Sequence, residues 1–351
     1  MKVITHLRRN PFPPHKTKIC LAIGNFDGVH LGHRTLLHEI CSKAARIRGV
    51  PAVFTFIRHP RIILKPDHPV HLLTPWQERL ALLEKAGIRA GYLLRFTKQF
   101  SKMSPEEFVR EILVKKIGVH TVYMGFNARF GHNRRGTAKI MERLSKRYGF
   151  HFQAVKARKD SGKIVNSTRI RSLIERGHLE EAARILGQPA FLIGTVIHGS
   201  GRGKKLGFPT ANLHQENGVL PPTGVYIVSV KIIRSTKQKK PYGFDLKDTS
   251  SKQGMLGLLN LGYRPTFKRA DKTQRHPLPE VYLLNGARRA HSAHNLYGKR
   301  LKLSLLKYLR REKKFSNSDL LVRQIKKDVL AAQRGGARFK RKYMKKQGFT
   351  I

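Results

Sequence analysis

Apolar and polar positions follow two different rhythms along the chain, and the rhythm changes near residue 187. In the first half, the apolar run Ile19–Ile23 ends in a glycine-rich turn. It is followed by Leu36, Leu37, Ile40, Cys41, Ala44 and Ala45, the spacing of one helical face. Residues 50–56 read as a buried strand. Thr74 as N-cap, Pro75 at the first helical position, Gln77 closing a capping box and Gly87 at the end predict the next helix. Ser104, Pro105 and Glu107 repeat that signature before a helix through Lys115, and residues 90–96 and 119–124 read as strands. Strands alternating with helices imply a parallel sheet covered on both faces, with its first strand expected at Ile19.

Beyond Gly187–Pro189 the pattern becomes strands joined by loops: 190–197, 224–232, 255–261, 280–284 and 300–309. Such a run predicts an antiparallel sheet or small barrel. One long helix follows, capped by Ser316 with Asp319 three residues on and expected to end near Ala332. Residues 335–351 lack acids and read as a mobile basic tail, and residues 234–253 as a polar insert. The expected organisation is 1–186, 187–333 and 334–351.

Composition narrows the function classes. The 351 residues carry 71 Lys+Arg against 21 Asp+Glu, a net charge of +50, yet 40% are hydrophobic, which excludes a disordered chain. No apolar run approaches the roughly 18 residues of a membrane span. Two cysteines, Cys20 and Cys41, cannot make a secreted disulfide framework and point to a reducing, cytoplasmic setting with buried, inert thiols. The positive field favours phosphate-bearing partners, while a generally basic surface explains the same charge without any partner.

The candidate chemistry begins at Gly24-Asn25-Phe26-Asp27-Gly28-Val29-His30-Leu31-Gly32-His33. This segment joins a strand to a helix, where glycines allow close backbone approach and free helix N–H groups favour phosphate. His30 and His33 could stabilise charge developing on it, or be surface histidines on a turn. Asn166-Ser167-Thr168-Arg169-Ile170-Arg171 opens another helix with hydroxyls and guanidinium groups, as a phosphate site or a simple cap. In the second half, Gly199-Ser200-Gly201-Arg202-Gly203-Lys204-Lys205 is glycine-rich but fails the P-loop pattern, with His198 and Lys205 at its required Gly and Ser/Thr positions. Thr210 and Asn212 alternate along an extended segment, so both oxygens could face one Mg²⁺. Glu280 opens an apolar strand and is either a general base or surface charge.

The first pair of motifs resembles the nucleotidylyltransferase superfamily. Taken in order from about Lys18 to Val329, all the motifs resemble the bacterial bifunctional riboflavin kinase/FAD synthetase family. Arg129-Phe130-Gly131, Arg264-Pro265-Thr266-Phe267, Asn295-Leu296-Tyr297-Gly298 and Arg310 with Glu312 and Phe315 belong to that resemblance. It implies an α/β Rossmann-like nucleotidylyltransferase domain followed by an antiparallel β-barrel riboflavin kinase domain with a C-terminal helix. It also implies riboflavin, FMN and ATP as ligands and Mg²⁺ as cofactor. Gly24, Phe26, Asp27, Gly28, Gly32, Ser167, Thr168 and Arg171 would line one ATP, with His30 and His33 catalytic. Gly201, Arg202, Gly203 and Lys204 would line the other, with Thr210 and Asn212 on the metal and Glu280 as base. His59, Asn127 and Arg310 would contact flavin. The chain departs from the family's pattern at Ile57-Arg58-His59-Pro60, where Asp-Pro-His-Pro is usual, at Ala128 and at Asn166. A kinase with a degenerate first half, or a basic nucleic-acid-binding protein on the same scaffold, are the alternatives.

Overall fold

The structure, a computed structural model, describes residues 1–14, 16–68, 70–199, 201–216, 218–233, 254–263, 277–284 and 296–345, with backbone alone at 202 and 336–345. The polar insert, the Arg264-Pro265-Thr266-Phe267 motif, residues 287–295 and residues 346–351 lie outside the described residues. The chain forms two compact units, divided between Ser167 and Thr168.

In the first unit, six parallel strands make one sheet: β1 (Lys2–Ile4), β2 (Ile19–Ile23), β3 (Val50–Phe56), β4 (Ala90–Leu94), β5 (Val119–Gly125) and β6 (His151–Val155). Their spatial order is β1-β4-β3-β2-β5-β6. β1 precedes the strand expected to be first; at three residues it is too short to show a periodicity. The helices are α1 (Leu31–Arg46), α2 (Pro60–Leu64), α3 (Trp76–Lys85), α4 (Lys98–Ser101), α5 (Pro105–Glu107, widening to π geometry over Phe108–Ile117) and α6 (Ala138–Tyr148). On one face Leu36, Leu37 and Ile40 of α1 and Leu80 and Leu83 of α3 pack on Cys20, Ala22, Val53 and Leu93. On the other, Phe108, Ile112, Leu113, Met141 and Leu144 cover Leu21, Phe54 and Val122. Burial raises the thiol pKa of both Cys20 and Cys41, which keeps them protonated. The Ser104–Glu107 capping box forms as expected, its two hydrogen bonds at 2.7 and 3.2 Å. Thr74, however, does not cap α3: Pro75 takes that position, and the Thr74 N–H donates to Asp27 Oδ1 instead.

The small hairpin β7 (Lys159–Asp160) and β8 (Lys163–Ile164) leads to α7 (Ser167–Glu175), in which the division between the units falls, and then to α8 (Leu179–Leu186). The second unit contains a closed antiparallel barrel of β9 (Phe191–Ile197), β10 (Thr210–Gln215), β11 (Gly224–Ile233), β12 (Met255–Gly262), β13 (Leu278–Leu283) and β14 (Arg300–Arg310), with α9 (Arg202–Lys205) between β9 and β10. Closure removes the exposed edges that an open sheet must protect. The last helix, α10 (Ser318–Lys345), continues through the segment expected to be a mobile tail. Its cap is Asn317, whose Oδ1 accepts from Leu320 N at 2.9 Å, in place of Ser316. Packing carries α10 past Ala332: that residue is fully buried among Val225, Ile227, Leu258 and Leu306. A Cβ at Gly335 would rest against Ile227 at 3.5 Å.

Candidate active sites

β2 lies inside the first sheet; β3 and β4 extend from it on one side, β5 and β6 on the other. The crevice beyond the ends of β2 and β5 is therefore the topological switch point, where ligands bind open α/β sheets. The Gly24–His33 turn occupies it. Phe26 (φ 51°), Gly28 (φ 88°) and Val29 (φ 44°) all adopt left-handed backbone. For the two non-glycine residues this costs roughly 1–3 kcal/mol each. Burial of both side chains holds the conformation, as does Asp27, whose carboxylate accepts from Leu73 N at 3.1 Å and Thr74 N at 3.0 Å. Asp27 thus fastens the turn to the entrance of α3. Ser167 Oγ donates to the Asp27 carbonyl at 3.0 Å.

His30 is the N-cap of α1: its Nδ1 accepts from the His33 N–H at 3.3 Å, so the neutral ring carries its proton on Nε2. The rings of His30 and His33 stack with centroids 3.7 Å apart. His33 Nδ1 is buried and has no hydrogen-bond partner among the described residues. Burial, with the neighbouring His30 and Arg79, holds the His33 pKa well below its ordinary value of 6.5. His33 is therefore neutral at neutral pH, and His30, accepting through Nδ1, can donate only through Nε2. Gly32 must be small, because a Cβ there would meet the His30 ring at 3.2 Å and the Val165 carbonyl at 3.3 Å.

Arg79, on α3, was not singled out by sequence pattern. It is 1% exposed and reaches the carbonyls of Asn25 at 3.0 Å, of Ile57 at 3.4 Å and of Phe56, so one guanidinium joins the ends of β2 and β3. Burial lowers its pKa to about 10, against the opposing pull of Asp27. A cation at the i+3 position from Trp76, inside an apolar stripe, was the available signal. His59 caps α2 through Nδ1, which accepts from Arg61 N at 3.2 Å, and its Nε2 lies 3.1 Å from the Asn25 amide. Asn127 is exposed just past β5. Thr168 and Arg171 lie in the second unit, as does Arg169, which pairs with Glu181 at 2.6 Å.

In the barrel, strand register brings three polar residues side by side. Asn212 of β10 is opposite Glu280 of β13, and Glu280 is in turn opposite Asn260 of β12. Directly opposed residues share a face, with Cβ atoms about 5 Å apart. Asn260 was missed from sequence because its strand read as a plain apolar run. Glu280 is the third residue of its strand, which opens earlier than expected, at Leu278. Thr210, two residues before Asn212, lies on the same face. The glycine-rich loop folds onto both: a Cβ at Gly199 would overlap the Asn212 amide, and one at Gly203 would meet Thr210 Oγ1 at 3.0 Å. Gly199→Ala should displace Asn212 and lower the phosphorylation that the motif resemblance implies about 100-fold. Steady-state assays of both implied reactions would show the adenylyl transfer unchanged. Gly201 (φ 70°) and Lys204 belong to the same loop, and Arg202 opens α9 within it.

Arg310 ends β14 and is held by Asp328 of α10: Nε lies 3.0 Å from both carboxylate oxygens and Nη2 2.6 Å from Oδ2. Asp328 is 5% exposed. Removing it strands a largely buried cation, so Asp328→Ala should destabilise the second unit by about 3 kcal/mol in urea unfolding.

The sequence model of FAD synthetase matches residues 12–169, and that of riboflavin kinase residues 186–335. The bifunctional riboflavin kinase/FMN adenylyltransferase of Bacillus subtilis is 32% identical over 91% of this chain and 93% of its own. That of Listeria monocytogenes is 33% identical over 88% and 89%, and that of Escherichia coli K12 is 32% identical over 89% and 91%. A crystal structure described as a macrolide-efflux protein from Streptococcus pneumoniae superposes with a TM-score of 0.76 at 27% identity, covering 94% of this chain and 98% of that one. Among the described residues no helix is long and apolar enough to cross a membrane. Both halves thus match in the order that the motifs required, and the chain belongs to the bifunctional riboflavin kinase/FMN adenylyltransferase family.

Proposed function

We propose that this enzyme converts riboflavin to FMN in its barrel and FMN to FAD at the switch point of its parallel sheet, each step consuming one ATP. Residues 1–186 serve the second reaction and 187–333 the first. The observation that supports this best is the kinship, over 88–91% of the chain, with enzymes named for both reactions, each half carrying its own polar site.

For phosphorylation, Glu280 takes the proton of the riboflavin 5′-hydroxyl as that oxygen attacks the γ-phosphorus, and ADP leaves. Asn212 and Asn260 flank the carboxylate and orient it. The loop of Gly201, Arg202, Gly203 and Lys204 receives the phosphates. A hard oxygen donor pair suits Mg²⁺, which commonly completes its shell with water and substrate phosphate. The fit rests on the cradle at Gly199 and Gly203, which presses backbone against Thr210 and Asn212 where any Cβ would intrude. Thr210 and Asn212 would hold the ion, which when bound neutralises phosphate charge.

For adenylylation, an FMN phosphate oxygen attacks the α-phosphorus of ATP and pyrophosphate leaves. No protein nucleophile is needed. His30 and His33 donate to the phosphate oxygens as charge develops, and the His33 ring gains affinity for a proton when that charge arrives. Gly24, Gly28 and Gly32 keep the backbone close enough for N–H contact. Ser167 binds the nucleotide, and His59 and Asn127 face flavin, as does Arg310 in the other half. A cytoplasmic setting suits two ATP-consuming steps and two reduced thiols.

The test is to incubate the protein with riboflavin, ATP and Mg²⁺ and to separate the flavins over time. FMN should rise first and FAD follow, with one pyrophosphate per FAD. FMN accumulating without FAD would leave a kinase with a degenerate first half. Absence of both, with salt-sensitive RNA affinity, would favour the nucleic-acid reading.

A further inference from the structure

A second polar cleft, of about 580 Å³, opens on the α1 side of the first sheet, between the far half of α1 and strands β5 and β6. The catalytic histidines begin α1, whereas this cleft is lined by Glu39, Ser42, Lys43 and Arg46 toward its end. Along the helix axis the α1 residues that line it lie between about 8 Å (His38) and about 20 Å (Arg46) from His33. The cleft is therefore separate from the switch-point site.

Its opposite wall is shaped by an irregularity in the sheet. β2 and β5 pair Ile19 with Val119 and then Cys20 with Thr121, so His120 is an extra residue. A bulge of this kind re-aims a side chain. Here the His120 imidazole comes to 2.8 Å from Thr121 Oγ1 and packs against His151 of β6, ring centroids 5.1 Å apart. Burial lowers the His120 pKa, with smaller contributions from His151, Lys18 and Lys43. Neither Lys43 nor Arg46 is paired with a carboxylate among the described residues. The one acid lining the cleft, Glu39, accepts from Gln153 Nε2 at 3.5 Å. Cations on one wall thus face the His151 imidazole and the Thr121 hydroxyl on the other, with His120 beside them, across a space of small-molecule size. Lys43 and Arg46 also complement the carbonyl end of α1. That role leaves the bulge at His120 without a reason.

We propose that this cleft is a binding site for a small diphosphate-bearing molecule, one phosphate held by Lys43 and Arg46 and the other by Thr121 and His151, with His120 packed behind them. Two phosphates span both walls, where a single one reaches only half of the donors. Glu39 accepts from a hydroxyl on the remainder of the ligand.

The probe is inorganic pyrophosphate, followed through the imidazole NMR signals of His120 and His151 in the full chain. Saturable shifts of both are expected in the wild type. The double variant Lys43→Ala/Arg46→Ala should weaken that affinity at least tenfold while leaving FMN and FAD formation unchanged; alanine preserves the helix at both positions. Arg46→Ala alone should give an intermediate loss, which covers the case in which the double variant misfolds. Absence of saturable shifts, or equal affinity in the variants, overturns the proposal. So does a labelled single-stranded RNA that binds with the tenfold dependence on Lys43 and Arg46 while pyrophosphate shifts neither histidine.

Discussion

Replacing Glu280 by Gln should lower FMN formation about 1,000-fold, within the range that a positioned general base contributes. The amide keeps the size and most hydrogen bonds of the carboxylate, so the barrel strands keep their register. What disappears is the ability to accept the hydroxyl proton at neutral pH. KM for ATP should hold, because the glycine-rich loop and Thr210 are untouched. FAD formation from supplied FMN should proceed at the wild-type rate, since none of the residues assigned to that reaction belongs to a barrel strand. Both rates can be read in one chromatographic assay. Loss of both in a protein with an unchanged melting transition would mean that the two sites do not act separately.

The converse variant, His33→Ala, should cut adenylylation about 100-fold and leave riboflavin phosphorylation intact. This residue also has a stability signature. Its folded pKa lies well below the ordinary 6.5, so the unfolded chain binds the proton more readily. Stability is therefore fully present above about pH 6.5 and declines as pH falls through that value. Urea midpoints at pH 7.5 and pH 5.5 should differ less in His33→Ala than in the wild type. An equal difference in both proteins would remove His33 as the buried titrating group.

Much of this arrangement was legible in the chain. Alternating apolar runs and capping signatures reported the parallel sheet because each of its longer elements carries its own periodicity. The Gly24–His33 segment announced a ligand turn because left-handed backbone and close approach need particular residue types. What stayed hidden depends on partners distant in sequence. Asp27 reads as a candidate ligand residue, but its carboxylate is engaged by the backbone at Leu73 and Thr74. Arg79 reads as one cation among 71 basic residues, and only folding shows it joining two strand ends. Asn260 becomes notable only through strand register, which no single segment specifies. The end of α10 was misjudged because Gly335 reads as a stop, whereas in the fold it lies inside the helix, where even a Cβ would make only ordinary contact with Ile227 at 3.5 Å.

Closure of the barrel has an evolutionary consequence. β11 and β12 pair residue for residue from Gly224 opposite Leu261 to Val230 opposite Met255, and each is also held by its other neighbour. Their alignment does not depend on the segment that joins them. Doubling such a connection costs only about 0.6 kcal/mol in closure entropy. A connection as long and as lysine-bearing as residues 234–253 is therefore tolerated between them. The barrel provides a chassis on which connecting segments can diversify while the polar row of Asn212, Glu280 and Asn260 stays in place.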